Sequence, residues 1–208
     1  MAHEGKLDPA AMWNERFGRP EPVYGEVPNC YLREQAVRRL TSDMKVLVPG
    51  DGYGRNGLWL ARQGHTVTTV DISPVGVERS RKTAAATGIS ATILLADLTS
   101  WEWPLSEFDA VASIFLHLVS DERPRIHTHM LEALKPGGII ILEAFSPAQL
   151  AFTSGGPKQI DMLYTSEILR LDFKDAEVVE LAESVVDLEE GRMHSGKGAV
   201  VRGVLRKR

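Results

Sequence analysis

Cysteine is nearly absent from this sequence, since Cys30 is the only one among 208 residues. An intrachain disulfide is therefore impossible, and so is a metal cluster held by several cysteines. We expect no metal site, and a cytoplasmic location, where thiols stay reduced. Basic residues are outnumbered by acidic ones, which gives a net charge of −4. Because a dedicated nucleic-acid binder usually presents a basic face, we expect no nucleic-acid partner.

Long apolar segments are absent as well. The longest strongly apolar stretch, Gly138 to Leu142, is far too short to span a bilayer. Met1 to Phe17 lack the apolar core of a signal peptide, so we expect no membrane partner. A content of 43% hydrophobic and 25% charged residues is ordinary for a globular protein. The length predicts a single domain over residues 1–208. Separately, we expect a monomer or a weak homodimer.

Short strands and helices alternate through most of the chain, which predicts an α/β fold with helices on both faces of a parallel sheet. The core is expected over residues 41–208, after an N-terminal cap and helix over 1–40. Two strands joined by a short link near the end of the chain should be antiparallel. The predicted strands are 45–48, 66–70, 91–95, 108–114, 138–144, 176–188 and 197–206. The predicted helices are 29–40, 55–63, 74–87, 121–134 and 165–171.

Aromatic residues are few, at 7% of the chain, and three of them fall within the first 30 residues. Trp13, Phe17 and Tyr24 are interspersed there with prolines. Aromatic side chains are unusual in disordered tails. We therefore expect residues 1–30 to form an ordered cap or lid whose aromatic side chains contact a substrate.

A cluster of glycines follows the first predicted strand and precedes a helix. Gly50, Gly52 and Gly54 are spaced as G-x-G-x-G, and Gly52 to Gly57 also satisfies G-x-G-x-x-G, the dinucleotide fingerprint. Glycine puts no Cβ in the way of a ligand, and the following helix points free N–H groups at it. Asp71 ends the second strand, where a carboxylate can accept ribose hydroxyls. The turn therefore predicts a nucleoside-containing cofactor, and both templates remain open.

Three further features bear on which template applies. Asp97 follows the third strand, where its carboxylate could accept a hydrogen bond from an adenine amino group. Phe108 to Val111 opens the fourth strand, and Leu134 to Gly138 precedes the fifth. The chain ends in an antiparallel strand pair rather than in a second domain. Together, residues 45–145 resemble the class I S-adenosylmethionine-dependent methyltransferases. The resemblance implies a Rossmann-like three-layer sandwich with a seven-stranded, mostly parallel sheet whose last strand is antiparallel.

The same resemblance implies S-adenosyl-L-methionine as the cofactor. The three glycines of the turn would approach its methionine part, Asp71 its ribose and Asp97 its adenine, while Gly57 is left to helix packing. The family often has an acidic residue at the end of the first strand, where Val48 stands here, and Asp51 could replace it. The implied cofactor contacts are Gly50, Asp51, Gly52, Gly54, Asn56, Asp71, Ile72, Ser73, Asp97, Leu98 and Ile114.

Shorter motifs are similar to the tellurite-resistance (TehB-like) branch of that family, which borders the thiopurine methyltransferases. They are Trp13 to Phe17, Tyr24-Gly25, Gly54 to Asn56, Phe115 to Leu118 and Glu190 to His194. That branch methylates soft nucleophiles such as tellurite, selenite and thiols. The resemblance implies that His194 serves the substrate and that Arg202 helps to hold an anion. His117 follows the fourth strand at the edge where ligands bind. The second basic residue that the family places directly after the histidine is missing here.

Two other functions remain open on the sequence. An NAD(P)-dependent oxidoreductase would use the G-x-G-x-x-G reading of the same glycines. A non-catalytic S-adenosylmethionine-binding regulatory protein would show the same cofactor residues, because methyl transfer requires neither a catalytic triad nor a metal. The leading hypothesis is methyl transfer to a small-molecule acceptor.

Overall fold

A computed structural model describes residues 8–208, and the first seven residues of the expected cap lie outside the described part. Its helices are α1 (Pro9–Phe17), α2 (Cys30–Arg39), α3 (Gly57–Arg62), α4 (Pro74–Thr87), α5 (Arg123–Ala133) and α6 (Ser166–Asp172). Its strands are β1 (Lys45–Pro49), β2 (Thr66–Asp71), β3 (Thr92–Leu95), β4 (Phe108–Ile114), β5 (Leu134–Phe145), β6 (Ala176–Glu189) and β7 (Ser195–Lys207). Two short 3₁₀ helices, Pro147–Ala151 and Ile160–Met162, follow β5.

The strands described in residues 8–208 form one seven-stranded sheet in the order β3-β2-β1-β4-β5-β7-β6. β1, β2, β3, β4 and β5 pair in parallel, whereas β7 is antiparallel to both of its neighbours. The predicted fold class, with an antiparallel last strand, is therefore confirmed. The strand order reverses between β1 and β4, and open α/β sheets bind ligands at the carboxyl ends of strands beside such a switch point.

The central strands are buried on both faces, which is why they read as continuous apolar runs. In β1, Leu47 packs into a cluster with Ile126 and Met130 of α5. Val46 and Val48 point to the opposite face and pack with residues of α2 and α3. The period of two along β1 thus divides the core into two layers, and the sheet is the middle layer of three.

Local sequence signals set most element boundaries. Ser73 caps α4 by accepting a hydrogen bond from Gly76 N–H at 3.0 Å, and Pro74 occupies the first helical position. Gly88 ends α4 with a left-handed φ of 67°. The predicted bounds of β4 agree with the structure.

Some boundaries differ from the predictions for physical reasons. β5 starts at Leu134 rather than at residue 138, because Leu134 pairs with Phe108 and the register then shifts before Ile139 pairs with Ala110. α3 starts at Gly57 rather than at residue 55, because the residues before it are used in the glycine turn. α1 was not expected as a helix; Asp8 caps it by accepting from Ala10 N–H at 3.0 Å, and Pro9 follows. No helix among residues 8–208 is both long and apolar enough to cross a membrane.

Candidate active site

The glycine turn after β1 requires glycine at three positions. Gly50, Gly52 and Gly54 have φ values of 69°, 59° and 89°, in the left-handed region that side chains disfavour. Gly57 has no positive φ, but a Cβ there would lie 2.3 Å from Thr69 Cγ2. The first three glycines therefore shape the turn, whereas Gly57 allows α3 to pack closely on β2.

Asp71, at the end of β2, is bonded into the glycine turn. Its Oδ2 accepts a hydrogen bond from Gly52 N–H at 2.8 Å, and its Oδ1 accepts from Ser73 N–H at 2.8 Å. Burial raises the pKa of this carboxyl, although these N–H groups oppose the effect. The Asp71 carboxylate thus holds the turn and the start of α4 in one arrangement at the edge of the sheet.

The Asp51 carboxylate binds the start of α3. Its two oxygens accept from Asn56 N–H at 3.3 Å and from Gly57 N–H at 2.9 Å. Burial raises the pKa of Asp51 to about 7, against the lowering effect of these hydrogen bonds. In this structure the carboxylate satisfies helix N–H groups, so its predicted contact with the cofactor's amino group remains a prediction.

The other predicted cofactor residues lie along the same edge of the sheet. Asp97 is exposed after β3, and its Oδ1 accepts from Thr99 N–H and Thr99 Oγ1, both at 2.8 Å. Ile72 is half-buried, and Leu98 and Ile114 are buried. Their contacts with a cofactor remain predictions. Among residues 8–208, no group of three or more His, Cys, Asp or Glu side chains could hold a metal.

The N-terminal segment packs directly on the glycine turn. A Cβ added to Gly52 would lie 2.6 Å from Phe17 Cζ, and one added to Gly76 would lie 2.8 Å from Phe17 Cδ2. Trp13 stacks on Phe17, with 5.3 Å between ring centroids. Asn14 Oδ1 accepts a hydrogen bond from Ser73 Oγ at 2.6 Å, which fixes α1 at the start of α4. Residues 8–30 therefore contact the edge of the sheet through α1, and their role as a cap remains a prediction.

Two turns form hydrogen bonds with the segment after α1. The Tyr53 hydroxyl, in the glycine turn, accepts from Tyr24 N–H at 3.1 Å and donates to Gly25 O at 2.8 Å. From the β6–β7 turn, Met193 N–H donates to Val23 O at 2.9 Å. The segment thus bridges the glycine turn and the end of the antiparallel strand pair.

His194, in the β6–β7 turn, lies among aromatic rings. Its ring centroid is 4.4 Å from Phe115, 4.8 Å from Tyr24 and 5.3 Å from Phe145. Only 5% of His194 is exposed. We call these four residues the histidine cage. They come from four separate segments of the chain. Tyr24 follows α1, Phe115 follows β4, Phe145 ends β5 and His194 lies in the β6–β7 turn.

Phe115 enters the histidine cage through an unusual backbone conformation. Its φ of 51° is left-handed, which is rare for a bulky residue and strained. Its N–H donates to Glu143 O at 2.7 Å, which extends the β4–β5 pairing by one residue. No pattern in the sequence signals this conformation.

His117, predicted as a catalytic candidate, has both ring nitrogens engaged by the backbone. Nδ1 lies 2.7 Å from Met162 O, and Nε2 accepts from Phe145 N–H at 3.3 Å. Burial lowers the pKa of His117 to about 4, so the ring is neutral near pH 7. These contacts connect the loop after β4 to the end of β5, which is a structural role. A direct contact with substrate remains a prediction.

Two buried carboxylates, Glu143 and Glu190, lie beside the histidine cage and were not predicted. Asn29 connects them, because its Nδ2 donates to Glu143 Oε2 at 2.6 Å and to Glu190 Oε1 at 2.7 Å. We call these three residues the carboxylate bridge. All three are at most 2% exposed. The signal that could have found Glu143 is a lone charge within the apolar run of β5, because such a charge requires a partner.

Each carboxylate of the bridge also pairs with an arginine. Arg202 Nε donates to Glu143 Oε1 at 2.7 Å, and the Arg202 guanidinium lies 5.0 Å from the Tyr31 ring centroid. Arg55 donates to Glu190 Oε2 at 2.7 Å. The positive charge of Arg202, for which the family resemblance implied anion binding, is therefore compensated by Glu143.

The chain is similar to known methyltransferases in sequence. Residues 46–138 match the family described as a methyltransferase domain. A probable thiol methyltransferase 2 from Arabidopsis thaliana is 30% identical over 158 residues, which are 71% of this chain. The match spans 61% of the length of that curated relative.

Solved structures share the fold. One, described as the conversion of a disulfide bond into a thioacetal group during echinomycin biosynthesis, has a TM-score of 0.78 at 22% identity. It covers 95% of this chain and 90% of its own. TehB from Haemophilus influenzae has a TM-score of 0.69 at 22% identity, covering 85% of this chain and 61% of its own.

Proposed function

We propose that this chain, in which residues 46–138 match a methyltransferase domain, is a class I methyltransferase that transfers a methyl group from S-adenosylmethionine to the sulfur of a small thiol. The observation that carries the choice of acceptor is the histidine cage. A polarisable, uncharged sulfur fits among aromatic rings. An oxyanion needs a cation, and Arg55 and Arg202 are both paired with buried carboxylates. That leaves Arg16, whose guanidinium donates to the neutral Tyr24 hydroxyl at 3.0 Å, as the cation for the second candidates, tellurite and selenite.

The residues present fit the cofactor that the family uses. Three left-handed glycines keep Cβ atoms away from the turn after β1, and the Asp71 and Asp97 carboxylates stand at the ends of β2 and β3. Bound S-adenosylmethionine supplies an already activated methyl group. The work left to the protein is to align the acceptor, exclude water and remove the thiol proton. We propose His194 as the residue that meets the acceptor and Trp13, Phe17 and Tyr24 as the cap that excludes water.

Two similarities support a sulfur acceptor. The Arabidopsis relative is named a probable thiol methyltransferase, and the solved structure with a TM-score of 0.78 concerns the conversion of a disulfide bond. The TehB likeness supports the wider class of soft nucleophiles, with tellurite and selenite as the second candidates. The proposal includes a cytoplasmic location, because the chain's only cysteine, Cys30, is exposed and unpaired.

The test is the release of S-adenosylhomocysteine by the full chain against thiols, tellurite, selenite and primary amines. We expect turnover of thiols and a loss of at least ~100-fold in His194→Gln, the scale of one acid–base group. His129→Gln is the matched control, because His129 lies on α5, outside the histidine cage, where its ring contacts Glu132 of the same helix. Preferential turnover of oxyanions or amines would contradict the acceptor.

A thermal-shift measurement separates the remaining functions. S-adenosylhomocysteine should raise the melting temperature and NAD(H) should not, because only a ligand that binds the native state stabilises it. The opposite result would support an oxidoreductase. Binding of S-adenosylhomocysteine without turnover of any acceptor would support a regulatory protein.

A further inference from the structure

His194 has one ring nitrogen that is left without a hydrogen bond. Within residues 8–208, its Nδ1 is buried and has no hydrogen-bond partner. Glu190 Oε2 lies 3.9 Å from that atom, just beyond hydrogen-bonding distance. A buried polar atom without a partner is costly. A small rotation that brings Nδ1–H onto the Glu190 carboxylate is therefore favourable.

Glu190 is held in place from two other elements. Asn29 Nδ2 donates to its Oε1 at 2.7 Å, and Arg55, in the glycine turn, donates to its Oε2 at 2.7 Å. Burial raises the pKa of Glu190, but nearby His194 and the charge and hydrogen bond of Arg55 outweigh it and lower the pKa to about 2. The carboxylate is therefore ionised at any working pH.

His194 itself is neutral near pH 7. Burial lowers its pKa, Glu190 opposes this effect, and the charges of Arg55 and Arg16 add to it. A neutral imidazole carries one N–H, and a carboxylate beside Nδ1 favours the proton there, which leaves the Nε2 lone pair free. The titratable and charged groups around the ring are Glu190 of its own turn, Arg55, Arg16 of α1, Tyr24 and His117.

The opposite edge of the His194 ring faces the loop after β5. A Cβ added to Gly155 would lie 2.9 Å from His194 Cδ2 and 3.4 Å from His194 Nε2. Gly155 has a φ of 103°, so both space and backbone conformation require glycine there. This glycine keeps side-chain atoms away from the Nε2 edge.

We propose that Glu190 is a positioning residue that fixes His194 as the Nδ1–H tautomer, so that Nε2 removes the proton of the thiol acceptor. The proposal rests on the proposed methyltransferase function. The S–H bond breaks, an N–H bond forms at Nε2, and the electron pair stays on sulfur, which becomes the nucleophile. The imidazolium is stabilised by Glu190 until it releases its proton to water. Arg55 holds Glu190 in place from the glycine turn.

Nitrogen-15 NMR of the imidazole rings in the full chain tests the tautomer without any reaction. We expect the Nδ1–H form of His194 in the wild type and a mixture of tautomers in Glu190→Gln. Glu190→Asp keeps the charge and should retain the wild-type form. An Nε2–H tautomer in the wild type would overturn the proposal even if the Glu190→Gln variant did not fold.

Kinetics with two acceptors tests the consequence. For an alkyl thiol that is protonated at neutral pH, Glu190→Gln should lower kcat by ~100-fold, while for a thiol that is already ionised the loss should stay under ~3-fold. Glu189→Gln is the matched control, because Glu189 is the exposed neighbour. Equal losses with both acceptors, or an unchanged pH profile, would overturn the proposal. If the wild type turns over no thiol, the proposed function fails and the tautomer measurement still decides the role of Glu190.

Discussion

Replacement of Asn29 by alanine is expected to lower the free energy of unfolding by about 4 kcal/mol. Asn29 Oδ1 accepts from Leu32 N–H at 2.8 Å and caps α2, a contact of about 1 kcal/mol. Its Nδ2 donates to Glu143 and Glu190, and hydrogen bonds to charged groups contribute about 1.5–3 kcal/mol each. Alanine leaves two buried carboxylates without the donor that separates them. These contributions add up to about 4–7 kcal/mol, and we expect the low end of that range because neighbouring contacts are not additive.

Asn29→Ser separates the two contributions. Serine caps helices about as well as asparagine, but its shorter side chain cannot reach both carboxylates. Urea unfolding followed by circular dichroism should therefore rank the stabilities as wild type, then serine, then alanine. The gap between serine and alanine should be about 1 kcal/mol. If serine restored nearly all of the wild-type stability, the carboxylate bridge would contribute little and the reasoning would be refuted.

Three other outcomes follow from the same geometry. Asp71→Ala should weaken S-adenosylhomocysteine binding by about 1–3 kcal/mol in calorimetry, because ribose hydroxyls lose their acceptor; unchanged affinity would contradict this role. Gly64→Ala should lower the free energy of unfolding by about 1–2 kcal/mol, because of its left-handed φ of 91° alone. Gly54→Ala should lower the free energy of unfolding, measured in urea, by at least about 1 kcal/mol more. The reason is that a Cβ at Gly54 would lie 2.2 Å from Ser80 Oγ. The pKa of His117 is about 4 when folded, against a usual 6.5, so the stability that it contributes is present above pH 6.5 and is lost as the pH falls toward 4. His117→Asn should flatten the pH dependence of the urea midpoint in that interval, and an unaltered slope would argue against the assignment.

The sequence predicted the fold well because the governing signals are local. The glycine turn and the Ser73 cap mark where strands are followed by helices, and Gly88 marks where α4 ends. The alternation of strands and helices then implies a parallel sheet. The short link between β6 and β7 predicted that these two strands are antiparallel, whereas the antiparallel place of β7 in the seven-stranded sheet came from the family resemblance. α1 was not predicted because it is short and lies in a segment rich in proline. Its position depends on a contact that is distant in the sequence, the packing of Phe17 against Gly52.

The candidate site was predicted only in part. The glycine pattern predicted the turn after β1, whose left-handed glycines the structure contains, whereas His194 came from the family resemblance and its role remains a prediction. Sequence reasoning could not anticipate that Arg202 pairs with Glu143, or that Asn29 joins Glu143 to Glu190. These contacts span up to 161 positions of the chain, and only the folded sheet brings them together. His117 matched the expected place but uses both nitrogens on the backbone.

The left-handed backbone of Phe115 creates a conflict between stability and the proposed binding of the acceptor. A bulky residue at a φ of 51° carries a strain of about 1–3 kcal/mol, which glycine would relieve. Glycine would also remove the ring that lies closest to His194 in the cage. Efforts to raise the thermal stability of this protein by correcting unfavourable backbone angles would therefore favour, at position 115, a change that removes one wall of the proposed acceptor site.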